Sequence, residues 1–237
     1  MKQLALDFAI AARPTLDNFV AGRNGELAHC LRRIAAGAGE ERFVYMWGAG
    51  GCGRTHLLKA TVAAMEQAGA AAAYVACGAQ GRWPEGLEGM DCVALDDVER
   101  AGADAQVAAF HLYNVLREQG RVLVAAGTAP PMRLDLREDL MTRLSWGLVY
   151  EVHALTDEDK MRALGDHAAT RGFRLPAEVC EFLLTRVRRD MPSLIGMLDA
   201  LDRYALETRR PITVPLVRDL LGTRKIPPGP PLEKGGV

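Results

Sequence analysis

The sequence predicts an α/β protein, a five-stranded parallel sheet carrying a phosphate-binding loop and followed by a small all-helical subdomain. Three observations predict it. Up to Val152, compact apolar runs alternate with amphipathic stretches, the signature of successive βα units. A glycine-rich string, Gly48 to Thr55, lies between one such run and a helical stretch. Beyond Val152 the strand-like runs stop and only helical periodicity continues. A chain of 237 residues with 49% apolar content can bury a core of this size.

Taken in order, a short arm (residues 1–13) leads into the first strand, 43–47, a loop, 48–53, and a helix, 55–67. Residues 72–76, 92–95, 122–126 and 148–152 supply four more strands. Between them Val107, Phe110, Leu112, Val115 and Leu116 cluster on one side at a 3.6 period. The α/β part is expected over 14–153 and a helical part over 154–222. Three helices are read there. Thr156 with Asp159 resembles a capping box opening a helix through Met161 and Leu164. Pro176 suits a first turn ahead of Val179, Phe182, Leu183 and Val187. Leu194, Met197, Leu198, Leu201 and Ala205 form the third stripe. Residues 223–237, rich in Pro and Gly, are expected to be disordered.

Charge and cysteine usage narrow the function. Lys plus Arg number 29 and Asp plus Glu 30, so no global positive field exists to hold a nucleic acid or an anionic membrane. Five cysteines without a CxxC pair fit a reduced compartment and no zinc site. Asp7 interrupts Leu4-Ala5-Leu6 well short of a signal-peptide core, and the run 70–77 is too short to span a membrane. A cytoplasmic protein is expected.

The string Gly48-Ala49-Gly50-Gly51-Cys52-Gly53-Arg54-Thr55 follows a strand and opens a helix, as a phosphate-binding loop must. Glycines let backbone N–H groups turn toward phosphate oxygens, and the helix N-terminus adds partial positive charge. Thr55 is placed to ligate Mg²⁺. Arg54 stands where the motif has lysine, so the charge is kept but a planar fork replaces a compact ammonium. Nucleotide binding is expected and efficient hydrolysis is not; the bland alternative is a strand-to-helix turn with no ligand.

The run 92–95 then delivers Asp96 and Asp97 to the end of a strand, where parallel sheets place their ligands. Asp96 would hold Mg²⁺ through water and Asp97 would orient an attacking water. The alternative is a helix N-cap pair. His56, next to Thr55, is at a nucleotide-contacting position but reads as a packed or solvated side chain rather than a catalyst. Trp47, Trp83 and Trp146 read as packing residues, since no basic stripe accompanies them.

The order of glycine loop, acid pair, strand 122–126 ending near Thr128, the segment Asp139-Leu140-Met141-Thr142-Arg143-Leu144 and a helical lid resembles the AAA+ core of the bacterial replication initiator DnaA over residues 14–222. Asn18-Phe19-Val20-Ala21-Gly22-Arg23-Asn24 matches the initiator's FVxGxxN segment, which implies that Phe19 and Val20 close over the adenine. The resemblance implies nucleotide contacts from Gly48, Gly50, Gly51, Cys52, Gly53, Arg54, Thr55, His56 and Asp96, with ADP or ATP and Mg²⁺ as cofactors. The sequence ends soon after the lid, leaving no room for a helix-turn-helix module, so direct sequence-specific DNA binding is not expected.

The chain opens with Gln3-Leu4-Ala5-Leu6-Asp7-Phe8, similar to the QLxLxF peptide that docks bacterial proteins on the DNA polymerase III β sliding clamp; an arm packing on its own domain is the alternative. Together these features resemble the Hda family, regulatory inactivators of DnaA. That resemblance gives Arg143 the role of an arginine finger directed in trans at ATP on DnaA, making the protein a negative regulator of replication initiation with weak or no ATPase of its own. The competing reading pairs Arg143 with Asp139 on one helix. Pro192 stands where the lid's nucleotide-sensing arginine is expected, so either Arg188 or Arg189 substitutes or the lid does not sense the γ-phosphate. Thr128 offers only a hydroxyl at the sensor position after the fourth strand. A self-sufficient AAA+ ATPase of the helicase-loader or clamp-loader type, and a DNA-binding accessory factor, are the rival functions. Homo-oligomerisation stays open.

Overall fold

The computed structural model describes residues 13–78 and 83–223. Gln3, Leu4, Leu6 and Phe8, and the segment beyond 223, lie outside the described residues. The chain divides into two compact units, one of Arg13–Thr156 and one beginning at Asp157.

The first unit is built on β1 (Phe43–Trp47), β2 (Ala72–Ala76), β3 (Cys92–Asp96), β4 (Val122–Gly127) and β5 (Leu148–Glu151), all parallel, in the order β2-β3-β4-β1-β5. Strands β3 and β4 are buried along their whole length, as expected of central strands covered on both faces. Helices α1 (Gly25–Ala35) and α2 (Arg54–Gln67) close one core through Leu27, Leu31, Ile34, Leu57 and Leu58. Helix α3 (Ala103–Glu118) and the short α4 (Glu138–Leu144) close the second through Leu112, Leu116, Leu140 and Leu144. Alternation along each strand divides the two cores: in β1, Val44 and Met46 face the first and Tyr45 the second.

The strand order sets the site. Adjacent β1 and β4 leave the sheet with connections to opposite faces, so the crevice beyond their carboxyl ends is open to a ligand. The loop 48–53 leaves β1, Asp96 ends β3, and Thr128 follows β4.

The second unit contains α5 (Asp157–Thr170), α6 (Ala177–Arg186), α7 (Met191–Thr208) and α8 (Val214–Thr223). The three-helix expectation is therefore corrected to four among the described residues, and Thr223 belongs to α8 rather than to the tail. Leu216, Val217 and Leu220 of α8 are buried in the same core as Leu183, Leu194 and Leu201. Pro215, in the first turn, had masked this stripe, although proline fits there because the first N–H groups of a helix lack intrahelical partners. Pro192 works the same way in α7, where the Asp190 carboxylate accepts from Ser193 N–H at 2.9 Å. No helix among the described residues is long and apolar enough to cross a membrane.

Candidate functional site

The loop between β1 and α2 departs from ordinary backbone geometry at the points where its sequence allows. Gly53 has φ +109°, and a Cβ there would lie 2.9 Å from Cε2 of Phe19; Gly48 passes so close to Val152 that a Cβ would meet its carbonyl at 2.5 Å. Cys52 is buried in the first core and pins the middle of the loop. Helix α2 starts at Arg54 without a side-chain cap, so its first N–H groups have no side-chain acceptor.

Arg54 is 9% exposed, and its Nη1 is buried with no hydrogen-bond partner. Its Nη2 lies 3.8 Å from the Asp97 carboxylate, too long for a hydrogen bond. A buried donor of a charged group left unpaired is costly, and an anion in the loop would satisfy it. Side chain and loop therefore fit a phosphate-bearing ligand.

Asp96 is 3% exposed and accepts three hydrogen bonds: from Thr55 Oγ1 at 2.6 Å, Tyr74 Oη at 2.7 Å and Asp97 N–H at 3.0 Å. Burial and the Asp96 carboxylate hold the Tyr74 phenol well above its ordinary value, so it stays a donor. Burial first, then the Asp96, Asp97 and Glu99 carboxylates, push the Cys77 thiol up to about 12, making it an inert neighbour rather than a nucleophile. Thr55 Oγ1 donates its hydrogen bond to Asp96, which leaves a hydroxyl lone pair able to face a cation. No cluster of three His, Cys, Asp or Glu capable of holding a metal occurs among the described residues, so Mg²⁺ here would need phosphate oxygens and water besides Thr55 and Asp96.

Asp97 sits in the left-handed region, φ 50° and ψ 53°, and opens a short turn of 3₁₀ helix without capping it. Its carboxylate lies between Arg54 and Arg100, 3.8 and 3.7 Å away. Neither acid forms a side-chain N-cap. Gly50 and Gly51 turn within the loop, with Gly51 at φ +79°. Phe19 packs on the first core with its ring 5.5 Å from that of His56, and Val20 beside it is half-buried. His56 Nε2 lies 3.0 Å from the Thr15 carbonyl; a carbonyl only accepts, so Nε2 carries the hydrogen. Burial lowers the His56 pKa below its ordinary value, and the bond to Thr15 opposes this only in part. Asn24 exchanges two bonds with the His153 backbone, at 2.9 and 2.8 Å, joining the start of α1 to the chain leaving β5. Thr128 is exposed at the end of β4.

Arg143 lies on α4. Its Nε donates to Asn114 Oδ1 at 2.9 Å, and its Cζ is 3.9 Å from the Trp146 ring centroid and 5.5 Å from that of Phe110. The pairing with Asp139 is not formed: Asp139 accepts from Arg137 Nη2 at 2.8 Å and Nε at 3.2 Å, which holds its carboxyl below the usual range. Among the described residues Arg143 has no carboxylate partner. In the second unit, Arg188 pairs with Asp190 at 3.2 Å and Arg189 with Asp157, so both candidate lid arginines are held by lid acids. Trp47 and Trp83 pack on the second core. Trp146 is exposed, and two arginines pack against its ring.

Sequence reasoning missed Tyr74, Asn114 and Glu99. Glu99 Oε2 is buried without a partner beside Gly127, at the end of β4. Only the D-D-x-E spacing after β3 signalled it. Tyr74 and Asn114 are single polar residues inside apolar patterns, and nothing local marks them.

A parallel sheet in this order, a glycine loop after β1, a paired acid after β3 and a separate helical unit define a P-loop protein of the AAA+ class. Residues 157–221 match the family model "Hda, lid domain" and residues 10–79 match that of the bacterial DnaA ATPase domain. The chain thus pairs a match to a DnaA ATPase domain with a match to an Hda lid. Among solved structures it resembles domain III of DnaA from Thermotoga maritima, with TM-score 0.68 and 22% identity over 90% of this chain and 97% of that one. AMPPCP-bound DnaA from Aquifex aeolicus gives 0.67 and 20% over 83% of this chain and 67% of that one. A RuvB mutant from Thermotoga maritima gives 0.60 and 15% over 89% and 72%. At these identities the likeness is one of fold.

Proposed function

We propose that this protein is a negative regulator of replication initiation that binds ADP or ATP with Mg²⁺ and stimulates hydrolysis of ATP held by DnaA. The observation that carries the reading is the state of Arg143, a guanidinium held by an aromatic ring and a neutral amide while the nearby Asp139 is occupied by Arg137. Its charge is left uncompensated for use elsewhere.

In its own loop, backbone N–H groups and Arg54 bind phosphate, Thr55 and Asp96 hold Mg²⁺, and Phe19, Val20 and His56 cover the base side. Bound nucleotide supplies the anionic oxygens that satisfy Arg54. Asp97 is engaged by Arg54 and Arg100, which works against its use in orienting water, so turnover by this chain alone is weak. Arg143 enters the DnaA site and donates to the transferring phosphoryl group as negative charge grows on it, an effect worth about 10³ to 10⁵ in rate where such fingers have been measured. Gln3, Leu4, Leu6 and Phe8 dock the protein on the DNA-loaded sliding clamp, bringing finger and initiator together. The Hda lid and the DnaA ATPase-domain match support the choice of DnaA as partner.

The test is DnaA ATP turnover with clamp and DNA present. Arg143→Ala should abolish stimulation and leave clamp binding intact. Unchanged stimulation would refute the reading, and rapid turnover by the isolated chain, about 1 s⁻¹ or more, would favour a self-sufficient motor instead.

A further inference from the structure

Trp146 lies between α4 and β5 and is 52% exposed, one of few large apolar side chains so open to water among the described residues. Two cations use its ring. Arg143 Cζ is 3.9 Å from the centroid and Arg117 Cζ, from α3, 4.6 Å. Neither arginine forms an ion pair with a carboxylate among the described residues, so two like charges share one indole.

A long arginine side chain loses rotamer entropy on being fixed. A carboxylate would fix it at the cost of its charge and several donors. An aromatic face attracts the cation through the ring quadrupole and leaves the charge intact. The Nε bond to Asn114 supplies a second point of attachment, and two points define a direction for the fork. Nη1 and Nη2 carry no hydrogen bond to any described residue.

We propose that Trp146 is a positioning residue for Arg143: its indole holds the guanidinium outward and pre-oriented, with charge and terminal donors free for the phosphoryl group of a partner's nucleotide. This rests on the reading of Arg143 as a finger acting in trans. Arg117 on the same ring adds positive potential beside the finger, which favours an anionic target over a neutral one.

The experiment compares wild type, Trp146→Leu, Trp146→Phe and Arg143→Ala, all as full-length chain. Stimulated ATP turnover of DnaA is read as maximal rate and half-saturating concentration, and the ¹⁵Nε–H resonance of Arg143 is read by NMR in the free protein. Trp146→Leu should lower the maximal rate about five- to tenfold with little change in half-saturation, and Trp146→Phe should restore most of it. The ring-current shift of the Arg143 Nε–H should vanish in Trp146→Leu and persist in reduced form in Trp146→Phe. Full stimulation by Trp146→Leu alongside an inactive Arg143→Ala would overturn the positioning role. So would an Arg143 resonance indifferent to the indole, or a loss of rate that tracks a fall in Tm and is not rescued by phenylalanine. Full stimulation by Arg143→Ala would instead bring down the finger itself, and the resonance would still report whether the stack exists.

Discussion

Arg54 and Arg143 stand in the same α/β unit and are held in opposite ways. Arg54 is buried at the start of α2 with one nitrogen unpaired, whereas Arg143 lies half-buried on α4 against a ring and an amide. A buried, unsatisfied guanidinium is unstable until an anion arrives, so it marks a site that the molecule fills for itself. A partly exposed guanidinium without a carboxylate costs little to maintain and keeps its charge available, so it suits a site completed in another molecule. Burial separates an arginine that needs a ligand from one that offers itself as a ligand.

Single substitutions should break this contrast cleanly. The largest effect is expected from Arg143→Ala, with loss of about 10³ or more in stimulated DnaA turnover and unchanged nucleotide affinity of this chain, measured by calorimetry. The converse is Arg54→Met. Nucleotide affinity should fall on the order of 10- to 100-fold, since a hydrogen bond to a charged group contributes about 1.5–3 kcal/mol. The Tm of the ligand-free protein should hold or rise, because the substitution removes an unsatisfied buried charge. A fall in both would show Arg54 to be structural.

Asp96→Ala sharpens the first half of the comparison. It strands the hydroxyls of Thr55 and Tyr74, and denaturant titration should show a loss of about 1–3 kcal/mol. Nucleotide binding should also lose its dependence on Mg²⁺.

The smallest effect is one of pH. The folded-state pKa of His56 is depressed, so the stability it contributes is present above its unfolded value of about 6.5 and is lost as pH falls through the lower folded value. Protonation keeps the donation from Nε2 to Thr15 but places a charge in a buried site, and that desolvation is what costs stability. Thermal melts between pH 7.5 and 5 should show a drop that His56→Gln flattens.

Much of the site was legible because its parts are local. The glycines lie together in sequence, and a helix follows them directly. Asp96 and Asp97 end an apolar run, so their position at the sheet's carboxyl edge follows from strand periodicity. The reading of Arg143 came from a family resemblance; helix spacing alone favoured Asp139, which is taken by Arg137 two residues away. Helix α8 was hidden by Pro215, although Leu216, Val217 and Leu220 carry the right spacing. α1 went unread as well, although Leu27, Leu31 and Ile34 are spaced to bury one face.

By itself the sequence determined the class of fold, the loop and its acid pair, because apolar period and glycine placement act within a few residues along the chain. Tertiary structure alone decided which group each polar side chain meets: Tyr74 on Asp96 across two strands, Asn114 and Arg117 brought from α3 to Arg143 and Trp146, and one nitrogen of Arg54 left bare. The reason is physical. Burial is written into local hydrophobic spacing, whereas the partner of a charge depends on segments distant in sequence arriving within about 3 Å of it.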